Sequence, residues 1–321
     1  MILVTGGSGY IGAAVVHELL SAGEEVRVLD ALAHDQEEIA SEQERSGAQV
    51  VRADLRDRAA RAEALEGAEA VVHLAAIVGD PACASDPKLA DEVNVKASTA
   101  LIEDARKAGV GGFVFASTCS NYGRMADPTV PIAEGGELRP VSLYAEQKVG
   151  IETLLLEDPD GLRPTCLRFA TVYGVARRMR FDLTVNEFTR DLWADRDLEV
   201  FGERFWRPYV HVRDAARAVC TVLGAPVERV AGQVFNVGCS AENYRKLDLI
   251  GEIRKQTDRG RVSYVPRAED PRDYRVSFEK IEAETGFRTR MTVPEGIAEL
   301  LEALEAGKFD DPFDGRYRNN A

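Results

Sequence analysis

The sequence predicts an α/β fold: a doubly wound parallel sheet followed by a smaller mixed α/β portion at the C-terminal end. Short apolar segments alternate with amphipathic helical segments through the first half of the 321 residues. The strand-like segments are apolar along most of their length, which is typical of parallel strands covered by helices on both faces. A glycine-rich loop joins the first strand to the first helix, as nucleotide-binding α/β sheets require.

The elements of the first half follow in regular order. Six apolar runs predict the strands Ile2–Thr5, Val26–Asp30, Gln49–Ala53, Ala70–Leu74, Gly112–Ser117 and Pro164–Phe169. Apolar residues at helical spacing predict helices between them, the clearest being Ile11–Ala22, Asp86–Ala108 and Tyr144–Leu156. We therefore expect a first domain over residues 1–172.

The alternation weakens after residue 172, where Arg, Asp, Glu and aromatic residues become more frequent. Helices are predicted at Leu183–Ala194 and Pro294–Glu305 within a second portion, 173–321. A strand at Arg207–Val212 and a helical pattern at Asp214–Leu223 follow one another as a further β–α unit. We expect residues 207–223 to return to the first domain.

Composition excludes several classes of protein. The net charge of −14 argues against binding nucleic acid, which depends on neutralising phosphates, and no apolar run is long enough to cross a membrane. Five cysteines without a Cys-x-x-Cys pair argue against a disulfide framework or a metal site. The first strand begins at Met1 and leaves no room for a signal peptide, which predicts a cytoplasmic protein. An anionic ligand would need a local basic pocket, for which the cluster of Arg177, Arg178 and Arg180 is a candidate.

The glycine loop predicts a dinucleotide site in a Rossmann-type domain. Its residues after Thr5 are Gly6, Gly7, Ser8, Gly9, Tyr10, Ile11 and Gly12. Glycines let the backbone approach a pyrophosphate, and the following helix presents unpaired N–H groups and a partial positive charge. We therefore place Gly6, Gly9, Tyr10, Ile11 and Gly12 in contact with the cofactor.

The acidic residue at the end of the second strand predicts the cofactor to be NAD. Asp30 can accept hydrogen bonds from the adenosine ribose hydroxyls and would repel a 2′-phosphate. No arginine follows it in residues 31–34, so NADP is disfavoured. After the next two strands, further cofactor contacts are expected from Asp54, Leu55, Leu74, Ala75 and Ala76, although Asp54 could instead cap the following helix.

A Tyr-x-x-x-Lys pair predicts the reactive centre. Tyr144 and Lys148 lie four residues apart and so share one helix face. A nearby ammonium is expected to lower the pKa of the phenol, which would make it a general base. The fifth strand ends at Ser117 and Thr118, where Thr118 could orient a substrate hydroxyl beside Tyr144.

These motifs together resemble the extended short-chain dehydrogenases/reductases, in their NAD-dependent epimerase/dehydratase branch acting on nucleotide sugars. The resemblance spans nearly the whole chain. It rests on the glycine loop and on segments 117–123, 144–148, 167–174, 207–214 and 235–238.

The resemblance implies an enzyme of nucleotide-diphosphate sugars that works through hydride transfer at a sugar carbon, usually C4. Tyr144 would remove the hydroxyl proton, Lys148 would contact the nicotinamide ribose, and Ser117 would lie beside the cofactor. It further implies that Asn186, Arg207 and either Arg272 or Arg275 hold the nucleotide and its phosphates. Many relatives are homodimers, and we expect the same here.

One departure from the resemblance bears on the reaction. Relatives that act as 4,6-dehydratases carry an Asp-Glu pair after the threonine, where this chain has Cys119 and Ser120. We therefore expect a C4 epimerase working through a transient 4-keto sugar. Cys119 leaves 3,5-epimerisation open, because a cysteine shuttles protons in such relatives, and net reduction of a keto sugar is a further alternative.

Overall fold

The computed structural model describes residues 1–125, 127–265 and 272–319. Its strands are β1 Ile2–Thr5, β2 Val26–Asp30, β3 Gln49–Arg52, β4 Ala70–His73, β5 Gly112–Thr118, β6 Arg163–Phe169, β7 Thr171–Tyr173, β8 Asp197–Val200, β9 Trp206–His211, β10 Gln233–Val237, β11 Asn243–Arg245 and β12 Arg261–Tyr264. Its α-helices are α1 Tyr10–Ser21, α2 Glu37–Arg45, α3 Arg58–Leu65, α4 Asp80–Ser85, α5 Pro87–Ala90, α6 Ser98–Lys107, α7 Leu143–Glu157, α8 Thr184–Trp193, α9 Val212–Gly224, α10 Val227–Val230, α11 Lys246–Arg254, α12 Glu279–Thr285 and α13 Val293–Glu305. A π-helical segment, Asp91–Ala97, joins α5 to α6, and short 3₁₀ turns lie at Cys119–Tyr122 and Gly315–Tyr317.

Seven strands form one parallel sheet in the order β10-β6-β5-β4-β1-β2-β3. The chain winds outward in one direction from β1 to β3 and in the other from β4 to β10. This confirms the doubly wound fold predicted from the sequence. The order reverses between β1 and β4, and ligands of such sheets bind beyond the carboxyl ends of the strands at this point.

Two clusters of buried apolar side chains cover the faces of the sheet. One contains Val4 and Val16 and extends through the later half as far as Phe309, and the other contains Leu3, Phe113 and Leu155. Adjacent residues of β1 thus belong to different clusters, because successive side chains of a strand point to opposite faces. The all-apolar strands in the sequence correspond to this double coverage.

The long helix predicted over Asp86–Ala108 is divided into three parts. Asp86 caps α5 by accepting the Leu89 N–H at 2.9 Å, and wider π-helical turns follow from Asp91. These turns direct Asn94 inward, where it bonds both backbone groups of Ile77. Single π-helical turns often mark such functional insertions. The other predicted elements agree with the structure to within two residues at each end.

The later half both extends the large sheet and builds its own. Strand β10 pairs with β6 in the large sheet, and α9 packs against α1. Strand β9, in contrast, joins a three-stranded sheet, β11-β9-β7, and β12 pairs with β8. Residues 207–223 therefore return to the first domain through their helix only, and division at residue 172 stays a prediction. Across the part of the chain that the structure describes, no helix has the length and apolarity to span a membrane.

Candidate active site

A cavity of about 580 Å³ opens at the carboxyl ends of β1, β4 and β5. Residues of the glycine loop, of β2 and of α7 line it from the first domain. Residues from the segment after β7 and from β9 line it from the later half. The cavity therefore lies where the order of the parallel strands reverses.

The glycine loop is closed so tightly that it excludes larger side chains. Gly6 has a φ of +70°, and a Cβ on Gly12 would lie 2.0 Å from the Gly6 carbonyl oxygen. Gly9 is the N-cap of α1, whose first turn has no side-chain cap and no acidic residue. The N–H groups of that first turn are thus left for a ligand. A dinucleotide pyrophosphate fits this cradle, because a helix N-terminus favours anions.

Asp30 is buried at the end of β2 and faces the cavity. Its carboxylate accepts the N–H groups of Ser8 and Leu32, both at 2.9 Å. Burial raises the pKa of Asp30, and the two N–H donors oppose that rise. Each carboxylate oxygen keeps a lone pair that could accept a ribose hydroxyl.

The other expected cofactor residues also line the cavity. They are Asp54, Leu55, Leu74, Ala75 and Ala76. Asp54 does not cap the following helix: that cap is Asp57, which accepts the Ala59 N–H at 2.8 Å. Asp54 instead pairs with Arg56, and its contact with adenosine stays a prediction.

Thr118, Tyr144 and Lys148 meet at one side of the cavity. Ser142 caps α7 and so starts the helix that presents Tyr144 and Lys148. The Lys148 ammonium lies 5.9 Å from the centre of the Tyr144 ring and donates to the Ala116 carbonyl at 2.7 Å. The Thr118 hydroxyl accepts the Ser120 N–H at 3.1 Å, which leaves its own proton free for a substrate oxygen.

Burial dominates the protonation of this pair. It raises the pKa of Tyr144 and lowers that of Lys148 to about 8. The expected lowering of the tyrosine pKa by Lys148 is therefore not seen in the protein alone.

The predicted catalytic role of Cys119 is wrong. Its side chain is 1% exposed, does not line the cavity, and donates from Sγ to the Arg168 carbonyl. Burial raises its pKa well above the ordinary value, whereas proton exchange needs a thiol that ionises near neutrality. A 3₁₀ turn begins at Cys119 and turns its side chain into the core, while Ser120 lines the cavity.

Ser117 reaches the cavity without offering it a free hydroxyl. Its hydroxyl donates to Glu152 at 2.7 Å and accepts the Asn121 amide at 3.1 Å. Glu152 in turn forms a buried ion pair with Arg168. Any contact between Ser117 and the cofactor is therefore made by the backbone.

Of the four residues expected to hold the nucleotide, two line the cavity and two do not. Arg207 and Arg272 line the cavity, and Arg272 pairs with Asp80 at 2.8 Å. Arg275 lies outside it and donates to the Thr129 carbonyl at 3.1 Å. The cavity therefore favours Arg272 over Arg275, and the contact of Arg272 with a phosphate stays a prediction. Asn186 is also outside: it is fully buried and accepts the Gly174 N–H at 2.9 Å. The expectation for Asn186 is therefore corrected, because its amide holds the backbone after β7.

The structure adds site residues that no motif indicated. Asp80 accepts the Ser142 hydroxyl at 2.6 Å as well as pairing with Arg272. Tyr274 lines the cavity and stacks near Arg207, whose guanidinium carbon is 5.2 Å from the ring centre. Both follow from tertiary packing between distant segments, so sequence spacing carried no signal for them.

Comparison with known proteins agrees with this geometry. A model of the NAD dependent epimerase/dehydratase family matches residues 2–238. A UDP-glucose 4-epimerase of Mycolicibacterium smegmatis is 31% identical over 94% of this chain and 97% of its own. A dTDP-glucose 4,6-dehydratase of Actinoplanes is 29% identical over 96% of this chain and 98% of its own.

A crystal structure of UDP-glucose 4-epimerase from Thermus thermophilus in complex with NAD has the same fold. It superposes with a TM-score of 0.83 at 29% identity, covering 95% of this chain and 98% of that one. The family match confirms NAD as the cofactor, in agreement with the glycine loop and Asp30. The matched residues contain the glycine loop, Thr118, Tyr144 and Lys148, and the chain belongs to the NAD dependent epimerase/dehydratase family.

Proposed function

We propose that this enzyme is an NAD-dependent 4-epimerase of a nucleotide-diphosphate sugar. The observation that supports this most strongly is the meeting of Thr118, Tyr144 and Lys148 beside the glycine loop in one cavity. With NAD as the hydride carrier, these three side chains would be sufficient for reversible oxidation at one carbon. UDP-glucose 4-epimerases among the relatives support the same reaction class.

The chemistry assigned to the residues is a reversible oxidation. Tyr144 takes the proton of the C4 hydroxyl while Thr118 donates a hydrogen bond to the same oxygen. Bound NAD would supply the hydride chemistry at C4. Once the 4-keto sugar has turned over in the cavity and been reduced on its opposite face, Tyr144 gives the proton back to the C4 oxygen. Nothing is consumed, so atoms and electrons balance over the cycle.

The side chains after Thr118 support epimerisation over dehydration. Loss of water across C5 and C6 needs an acid and a base beside the sugar, and related dehydratases supply them as an Asp-Glu pair. This chain has Cys119, which is buried in the core, and Ser120, whose hydroxyl is not an acid near neutral pH. The side chains at these two positions therefore support epimerisation although dTDP-glucose 4,6-dehydratases are among the relatives.

The basic residues of the cavity support a diphosphate-linked substrate. Arg207 and Arg272 come from different segments of the later half and both face the cavity. Arginine binds phosphate through paired N–H donors. We propose that Arg272 exchanges its contact with Asp80 for a substrate phosphate when the sugar nucleotide binds.

The test is to incubate the purified protein with UDP-, GDP-, CDP- and dTDP-sugars deuterated at C4, without added cofactor. We expect the C4 epimer of one of them, with deuterium retained at C4 and no solvent hydrogen entering the ring. In a parallel incubation with added NADH, its stoichiometric consumption would indicate a reductase. In a parallel incubation of unlabelled sugars in D₂O, entry of deuterium at C3 or C5, or loss of the C6 oxygen, would refute 4-epimerisation.

A further inference from the structure

A basic side chain of the later half lines the same cavity as the glycine loop. Arg178 belongs to the segment between β7 and α8, lines the cavity, and is only 6% exposed. Asp30 and His34 line the same cavity, and the positive charge of Arg178 acts to lower the pKa of both. The neighbouring Arg177 points away and forms an exposed ion pair with Glu42 on α2.

The guanidinium of Arg178 lacks partners within the protein. It has five N–H donors, yet among the described residues its single hydrogen bond runs from Nη2 to the Arg318 carbonyl at 3.1 Å. Its Nε has no partner at all. Burial lowers the pKa of Arg178 to about 10, as expected for a charge with too few partners.

The acidic groups near Arg178 are already engaged. Asp30 accepts two backbone N–H groups, and Asp182 pairs with Arg180 at 2.7 Å. Neither carboxylate is among the hydrogen-bond partners of Arg178, and a buried cation with so few hydrogen bonds is costly. An anion in the cavity would remove that cost.

Residues at the N-terminus of α1 also line this cavity. Its first turn is uncapped by any side chain, so it offers N–H groups and a partial positive charge. A diphosphate placed there would meet donors from the helix on one side and from Arg178 on the other. The anion that both sides fit is the diphosphate of the dinucleotide.

We propose that Arg178 binds the diphosphate of NAD and encloses it against the N-terminus of α1. The position of Arg178 depends on the C-terminal segment and on α1. The Tyr10 hydroxyl donates to the Gly174 carbonyl at 2.7 Å, the Phe181 N–H donates to the Tyr317 carbonyl at 2.9 Å, and the Asn319 N–H donates to Asp182 at 3.2 Å. The later half of the chain thus retains the cofactor, which the return of one hydride to the same sugar requires.

The test compares Arg178→Met with Arg177→Met as the matched exposed control. NAD content is measured in the purified proteins, and NADH affinity is measured by fluorescence after the cofactor has been removed. Loss of a charge-assisted contact is expected to weaken NADH binding by Arg178→Met about 10- to 100-fold. Arg177→Met is expected to match the wild type, and equal affinity in both variants would overturn the proposal.

Fragments of the ligands test whether Arg178 contacts the diphosphate or another group. ADP-ribose is expected to lose affinity for Arg178→Met as NADH does, whereas adenosine is expected to bind both proteins equally. An equal loss for adenosine would assign Arg178 to the nucleoside instead, and a loss confined to UDP would assign it to the sugar nucleotide. Either result would contradict the proposal.

A second variant guards against a failure to fold. Arg178→Lys retains the charge but not the planar fork, and it is expected to weaken NADH binding about 3- to 10-fold. If Arg178→Met fails to fold, an NADH affinity of Arg178→Lys equal to that of the wild type would contradict the proposal. None of these measurements uses turnover, so they remain valid if 4-epimerisation is refuted.

Discussion

Lys148 combines two demands that oppose each other. It must be charged to stabilise the Tyr144 phenolate, yet it is 5% exposed and its neighbouring hydrogen-bond partner is a neutral carbonyl. The desolvation that lowers its pKa also makes its charge costly in the folded protein. The site is therefore built for reactivity at some expense of stability.

Replacing Tyr144 by Phe removes the proton acceptor and little else. We expect the rate of epimerisation to fall about 10³-fold or more, since proton transfer by a positioned side chain contributes at about that level. NAD content should be unchanged, because the ring and Lys148 remain. Tyr264→Phe, on an exposed tyrosine of β12, is the control and should retain full activity. A fully active Tyr144→Phe enzyme would exclude Tyr144 as the base.

The lowered pKa of Lys148 predicts how stability depends on pH. Its ordinary value is 10.5 and its folded value about 8, so between these values the unfolded chain binds the proton that the folded protein has released. The unfavourable contribution is complete below pH 8 and disappears as the pH rises toward 10.5. The shift corresponds to about 3 kcal/mol at most.

Lys148→Met tests this directly. At pH 7 we expect the cofactor-free variant to be more stable than the wild type by about 1–2 kcal/mol, after allowance for the lost bond to Ala116, and inactive. The advantage should shrink by pH 10, as measured by urea unfolding at both pH values. Lys107→Met, at an exposed lysine of α6, should show neither effect. A destabilised Lys148→Met at pH 7 would contradict the assignment of a desolvated charge.

At the scale of elements, the junction of β1 and α1 is the most constrained part of the site. Gly6 needs its positive φ, and Gly12 has no room for a methyl group because the Gly6 carbonyl lies where its Cβ would be. The contact is with backbone, so no side-chain movement can relieve it. The loop can relax only by opening, which would disturb the cradle for the diphosphate.

Gly12→Ala is therefore expected to destabilise the protein by about 3 kcal/mol and to lower its NAD content. The matched control is Gly150→Ala in α7, where a new Cβ would meet no atom within 4 Å. Alanine is the better helix former by about 1 kcal/mol, so the control should be neutral or slightly more stable. Thermal unfolding and cofactor content of the two variants provide the comparison. A Gly12→Ala protein as stable as Gly150→Ala would disprove the tight closure of the loop.

At the scale of the whole molecule, the active site lies between two halves that do not separate cleanly. Strand β10 completes the large sheet from the later half, and one apolar cluster runs from β1 to α13. The cofactor side of the cavity consequently includes Arg178, which lies outside the glycine-loop domain in sequence. If Arg178 binds the diphosphate as proposed, binding of NAD and packing of the two halves are coupled.

The local patterns of the sequence determined the parallel sheet, the glycine loop, NAD as the cofactor and the Tyr144–Lys148 pair. Each depends on neighbours within a few residues: apolar runs, glycine spacing, an acid at a strand end, and a four-residue helical repeat. Such signals do not depend on how distant segments pack. The family followed from their combination.

Only the tertiary structure decided which side chains of the remaining candidates face the cavity. Cys119 is adjacent to Thr118 in sequence, but the 3₁₀ turn buries it, and Arg272 rather than Arg275 reaches the site. Arg178 and Asp30 come together from segments almost 150 residues apart (178 − 30 = 148). Burial, which reversed the expected pKa of Tyr144, is likewise a property of the packed molecule. Exposure and long-range contact arise only when the chain is folded, and for that reason the later half was the less predictable one.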